Sequence, residues 1–210
     1  MIPGNSRVLT CPKCHGKKEV LSLLSGNTFH DTHWSDTKCD SQMFPQISPV
    51  QKCPHCGNFF YSDKQPFVTA DSGSSFDLGN LDFNECLSAL EQFNNNYSNS
   101  EEEITIRVLT VHAFNDKYHR YDIEDVSKYE NVDYDRDFIL FKENTLKLIK
   151  LIEDNNESSL FIAELFREIK MFDECLIKIE EILVENEFVS NIKDSIIKKA
   201  SENNHIVFKI

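Results

Sequence analysis

The sequence contains no apolar run approaching the roughly 18 residues that a membrane-spanning helix needs, and after Gly79 it contains neither glycine nor proline. The first absence excludes a helical membrane span; the second suits an uninterrupted array of helices. The opening stretch "MIPGNSRVLTCPKCHG" has no basic start, apolar core or small-residue cleavage site of a signal peptide, so a cytoplasmic location is expected. No Gly-rich phosphate-cradling loop, Gly-x-Ser-x-Gly elbow or His-Glu-x-x-His pair occurs, and a non-enzymatic protein is expected. Basic charge is also scarce. Lys and Arg number 22 against 35 Asp and Glu, a formal net charge of −13. Residues 1–66 hold seven basic against five acidic side chains, and residues 67–210 hold fifteen against thirty. Such a surface repels phosphate backbones, whose binding depends on Lys/Arg contacts.

Cysteine is present in an informative pattern. Four of the seven lie in two matching pairs, "CPKCHG" (Cys11, Cys14) and "CPHCGN" (Cys53, Cys56). In a reducing compartment this spacing favours a metal over a disulfide framework. Two thiolates of each pair converge on one ion while the backbone N–H groups of the following turn point at the sulfurs. Two such pairs make a closed tetrahedral four-cysteine site with no open position for water or substrate, so structural Zn²⁺ is expected, with iron as the alternative. Four thiolates around Zn²⁺ add about −2 and cancel the basic excess of the first 66 residues, which further disfavours nucleic acid. The first knuckle has His15 where Gly is common, with Gly16 one place later, and 38 residues separate Cys14 from Cys53; an inserted loop or hairpin must fill that gap. Cys39 reads as a loop cysteine, with a spare ligand or redox thiol as the alternative. His15, His30, His33 and His55 lack spacing that would gather them into a second site. Cys86 and Cys175 fall on apolar helical stripes and belong in a core.

The chain organises into three parts: a metal-stapled module over 1–62, a linker over 63–103 with one helix near 82–93 and an Asn-rich acidic loop, and a helical domain over 104–210. In the first part "EVLSLLSG" and "NFFY" read as strands. Asp82 and Glu85 spell a capping box ahead of Phe83, Cys86, Leu87, Leu90 and Phe93 at helical spacing. "YENVDYDRD" interrupts the helical region. Beyond it Phe138, Phe141, Leu148, Ile149 and Ile152 form one stripe and Val189, Ile192, Ile196 and Ala200 another. The ending "HIVFKI" is equally compatible with a docked strand and a tail. His112, Asp116 and His119 could share a helix face as a metal or acid–base cluster, although solvated or hydrogen-bonded helix residues explain them as well. The fold class expected is α+β, predominantly α.

Both knuckles resemble those of zinc-ribbon proteins over about residues 8–62, which implies Cys11, Cys14, Cys53 and Cys56 as ligands. Rubredoxin-like modules hold iron on similar knuckles, which would imply electron transfer. "SLFIAELFREIKMFDECLIKIEEIL" resembles one tetratricopeptide (TPR) repeat: Ala163 mid-way along the first helix, Phe172 opening the second, Cys175 three positions on. Lys170 stands where Gly is usual in the turn, and Ile182 where Ala is usual. With "SGNTF", "HWSDTK", "SPVQKCPHCG" and "MFDECL" in this order, the whole chain resembles an uncharacterised bacterial family that joins an N-terminal ribbon to TPR-like helices. That resemblance implies architecture but no reaction; a helical-repeat surface with an acid excess suits a protein or peptide partner of basic character.

Overall fold

The computed structural model describes residues 2–41, 43–45, 47–70, 77–94, 97, 99–120, 133–183 and 186–210. The chain forms two compact units, Met1–Thr32 with Cys39–Asn95, and His33–Lys38 with Asn96–Ile210. These boundaries depart from the expected 62/63 and 103/104. The 82–93 helix belongs to the cysteine unit, and six residues from within the presumed ribbon belong to the helical one.

The cysteine unit is built from short antiparallel strands. β1 (Ile2–Pro3) pairs with β4 (Leu23–Ser25). β2 (Arg7–Thr10) lies between β3 (Lys17–Val20) and β9 (Phe67–Thr69). β5 (Thr32–His33) and β6 (Cys39–Asp40) flank the stretch where the chain leaves and re-enters the unit, and β7 (Val50–Lys52) pairs with β8 (Phe59–Tyr61). The register Thr10↔Lys17 leaves residues 11–16 as one hairpin tip, and Lys52↔Phe59 leaves 53–58 as another. The expected single strand "EVLSLLSG" is two, because its N-terminal half pairs with β2, the Leu21 N–H turns aside to the Asp77 carbonyl, and the C-terminal half pairs with β1. Part of the expected linker is also strand: β9 pairs with β2, while residues 71–76 of that linker lie outside the described residues.

α1 (Phe83–Phe93) starts with the capping box read from the sequence: the Asp82 carboxylate accepts from the Glu85 N–H, and Glu85 accepts from the Asp82 N–H. Its far end closes the outer edge of β8. Gln92 accepts from the Phe59 N–H at 2.9 Å and donates to the Phe59 carbonyl at 2.8 Å, and the Tyr61 and Phe93 rings stack at 5.0 Å. A strand edge presents unpaired amides to solvent, and one glutamine satisfies both here. Leu9, Cys11, Val20, Cys53 and Phe60 form the small core.

The helical unit contains α2 (Ser100–Tyr118), α3 (Asp133–Ile152), α4 (Ser159–Glu168), α5 (Phe172–Glu180) and α6 (Glu187–Ser201). α2 takes in "SEEE", expected as loop, because the Asn99 side chain caps it by accepting from the Glu102 N–H. α3 takes in Asp133–Asp137, expected as an interruption; the rest of that break, through residue 132, lies outside the described residues. The Phe114 and Phe141 rings stack at 4.1 Å where α2 meets α3. Ala163, Cys175, Ile179, Ile192, Ile196 and Ala200 form the second core, at the positions their spacing selects.

The α4–α5 turn reverses on Lys170 at φ 63°, with the Lys170 N–H bonded to the Arg167 carbonyl and the Met171 N–H to that of Phe166. This is a Schellman termination, which favours glycine at the left-handed position. Lys170 holds it at a strain of about 1–2 kcal/mol and gains a cation–π contact, its Nζ lying 4.6 Å from the Phe138 ring centroid. The C-terminal "HIVFKI" docks rather than trails: Phe208 accepts from the Ser35 N–H, the Ile210 N–H donates to His33, and Lys209 bridges to Trp34.

Candidate metal centre

The two hairpin tips are near copies. In the first, the Cys11 N–H donates to the Gly16 carbonyl and the His15 N–H to that of Cys11; in the second, Cys53 donates to Asn58 and Gly57 to Cys53. The residue after each second cysteine is left-handed, His15 at φ 59° and Gly57 at φ 72°. The displaced glycine of the first knuckle is thereby explained. The conformation that selects glycine falls on His15, and Gly16 answers to crowding instead, since a Cβ there would collide with the His55 ring and stand 3.2 Å from the Cys14 sulfur. His55 crosses from the second knuckle to place its Nε2 3.1 Å from the Lys17 carbonyl.

These turns bring all four sulfurs within 4.8 Å of one another. Cys11 and Cys56 approach to 3.7 Å, and Cys14 and Cys53 to 3.6 Å. A Zn–S bond of about 2.3 Å sets a tetrahedral S···S edge of about 3.8 Å, so the residues present fit a four-coordinate thiophilic ion. Cys11 and Cys53 are buried in the core, while Cys14 and Cys56 face solvent. Burial opposes ionisation of Cys53, but the backbone N–H groups of Cys56 and His55 outweigh it and draw the thiol down to about 6. At Cys14 the Gly16 N–H favours the thiolate, yet the bonds to Cys56, Cys53 and Cys11, together with burial, push it up to about 12. Without an ion the cluster therefore resists carrying several thiolates at once, and a divalent cation supplies the missing charge.

No protein-family model, curated protein or solved structure matches the chain.

The other candidates lie outside this four-cysteine group. Cys39 is exposed, donates to an Asp31 carboxylate oxygen at 3.8 Å, and has its thiol pushed up by burial and by Asp31 and Asp40, the reverse of what a reactive thiolate needs. Cys86 and Cys175 are core residues. His112, Asp116 and His119 do not converge. Nε2 of His112 donates to the Asp36 carbonyl at 3.0 Å, Asp116 takes Lys38 and Arg120, and His119 pairs with Asn115 and Tyr134.

Those partners belong to a buried network that the sequence did not mark. Its members Asp36, Asn115, Arg120, Glu164, Arg167 and Glu168 are at most 3% exposed. Arg120 chelates Asp36 and also bonds Asp116. The neutral polar members form a directed chain: Asn115 Oδ1 only accepts, so Nδ1 of His119 donates to it. Nε2 of His119 must then accept from the Tyr134 hydroxyl, which in turn accepts from Nε2 of His205. The one signal for this network was "HWSDTK" itself, residues 33–38, the stretch that crosses into the helical unit.

Proposed function

We propose that the chain is a non-enzymatic adaptor in which a structural Zn²⁺ staples the cysteine unit and the helical, TPR-like unit binds another protein. The observation that carries the metal reading is the four-sulfur tetrahedron at the tips of two matched hairpins. All four positions are cysteine, so none is left for water or substrate. Cys11, Cys14, Cys53 and Cys56 would hold the ion, whose chemistry is that of a cross-link and charge sink. Leu9, Val20 and Phe60 pack around Cys11 and Cys53, so an ion held there would tie both hairpin tips to these core residues.

Binding of a protein is supported by what the helical unit leaves uncovered. Ile177 and Phe188 are each 63% exposed and Leu183 is 85% exposed, within a stretch carrying exposed Asp173, Glu174, Glu180, Glu181 and Glu187. Solvent-facing apolar side chains among carboxylates suit a partner with basic and apolar residues. The resemblance to a bacterial ribbon-plus-TPR family agrees with this reading, as does the absence, among the described residues, of any helix long and apolar enough to cross a membrane. A cytoplasmic site of action is part of the same proposal.

A second reading is a rubredoxin-like electron carrier. The same sulfur spacing accepts iron, and exposed Cys14 and Cys56 would offer electrons a way out. Elemental analysis and the visible spectrum of protein purified without added metal separate the two: one zinc per chain and a colourless solution support the staple, and a coloured iron form replaces it. Affinity capture on the full chain from nuclease-treated cytosol tests the adaptor. A near-stoichiometric protein supports it, and capture of none removes it.

A further inference from the structure

Three buried carboxylates and two guanidiniums lie together at the centre of the helical unit, and the pairing leaves one carboxylate over. Arg120 is taken by Asp36 and by the half-exposed Asp116. Arg167 is taken by Glu164, through Nε at 2.8 Å and through Nη2, and its remaining Nη1 donates to the Asn204 carbonyl. Glu168 is fully buried and, among the described residues, faces no uncommitted cation. Its Oε2 accepts from Nδ2 of Asn115 at 2.9 Å, while its Oε1 is buried with no hydrogen-bond partner among those residues. The other proton of that amide goes to Oδ2 of Asp36, also at 2.9 Å. Two carboxylates therefore share one amide, and only Asp36 has a counter-charge. A second ion beside it would be desolvated, unpaired and like-charged.

We propose that Glu168 is the proton sensor of a latch: as a neutral acid it allows Asp36 to seat the 33–38 strap in the helical unit, and its ionisation expels the strap. Asp36 is the strap's deepest anchor, and Trp34, Ser35 and Lys38 follow it in through Arg120, Phe208 and Asp116.

The surroundings set the direction. Burial, then Glu164 and Asp36, push the Glu168 carboxyl well above its ordinary value near 4.5, and Asn115 and Arg167 only partly oppose them. A raised folded-state value means that the strapped form holds a proton the released form gives up. The contribution of Glu168 to strap stability is thus complete below about pH 4.5 and is lost as pH rises through the raised value. The buried imidazoles facing this centre act in the opposite sense and at lower pH, since one exposed by strap release, His112 on the Asp36 carbonyl first, would take up a proton below about 6.5. Burial and nearby cations hold His119 down to about 3 and His205 to about 4, and burial also lowers His112. The Cys175 thiol is pushed up to about 12 by burial and Glu164, and Arg120 and Arg167 stay charged beside their carboxylates.

Trp34, the chain's one tryptophan, is 5% exposed beneath the Arg120 guanidinium at 5.0 Å and reports on the strap directly. In the metal-loaded full chain, we expect its emission to shift to the red between pH 5 and pH 9 while far-UV circular dichroism holds. The shift should be lost in Glu168→Gln, which keeps an acceptor for Asn115 but cannot ionise, and also in Asp36→Asn, which removes the repelled charge. Emission that stays unchanged with pH, an equal shift in Glu168→Gln, or a red shift that tracks loss of helix each overturns the proposal. Should both variants fail to fold, carboxyl carbon-13 chemical shifts of the unmodified chain decide: a Glu168 titration near 4.5 refutes the latch, and one displaced upward supports it.

Discussion

The cysteine unit and the helical unit solve the same problem by different means. The first has short strands and one helix, with Leu9, Val20 and Phe60 packed around Cys11 and Cys53; it gathers four thiols that could hold a metal ion. The second has long helices and a larger apolar core, yet it buries Asp36, Arg120, Glu164, Arg167 and Glu168 and balances charge within the chain. In one unit the central group has the spacing to take a cation from outside. In the other the central charges are nearly complete, short of a single proton at Glu168.

That contrast breaks most visibly at the four cysteines. Cys53→Ser, or chelation, should abolish the dispersion of amide signals from residues 2–30 and 47–70 while most helical circular dichroism remains, because the proposed structural zinc would contribute on the order of 10 kcal/mol to a small module. Equal loss of helix signal would show that the two units stand or fall together. Next comes the ionic centre. Arg120→Met leaves Asp36 buried without its counter-ion and should cost about 3–5 kcal/mol of unfolding free energy, with metal content unchanged. A cost below about 1 kcal/mol would mean that Asp36 is hydrated.

Smaller effects sharpen the boundary between units. Gln92→Ala strands the Phe59 N–H, while the Phe59 carbonyl keeps the bond it accepts from Nδ2 of Asn58 at 3.0 Å, and should cost about 1–3 kcal/mol. Hydrogen exchange should place the loss in the strands beside the cysteines, and loss confined to α1 would detach that helix from its unit. Smallest of all is Lys170→Gly, which trades about 1–2 kcal/mol of backbone strain for a cation–π contact of about 0.5–2 kcal/mol and should move stability by under about 1 kcal/mol. In a Phe138→Leu background the same change should become stabilising by about 1 kcal/mol. A gain that does not depend on Phe138 would show that the ring contributes nothing.

Local rules were legible because they act over a few residues. Asp82 and Glu85 announced the start of α1. The stripe of Ile192, Ile196 and Ala200 announced the buried face of α6, and the positive φ at Lys170 was implied by a turn that ordinarily takes glycine. The two cysteine pairs announced their own convergence. Misreadings cluster where a residue's role depends on a distant partner. "SEEE" is acidic and loop-like until Asn99 caps it. Residues 67–69 resemble linker until β2 offers an edge, and Gly16 looks like a misplaced turn glycine until His55 lies across it.

What the sequence determined by itself is the pair of knuckles, the helices with their apolar faces, and a four-cysteine group that could hold a metal ion, since spacing alone sets which side chains share a face or a turn. Only the tertiary structure decided that residues 33–38 leave the cysteine unit, that α1 belongs with it, and that Glu168 is left without a counter-ion among the described residues. Burial and charge pairing are properties of neighbours brought together from far along the chain: Asp36 meets Arg120 across 84 residues, and no local pattern records that meeting.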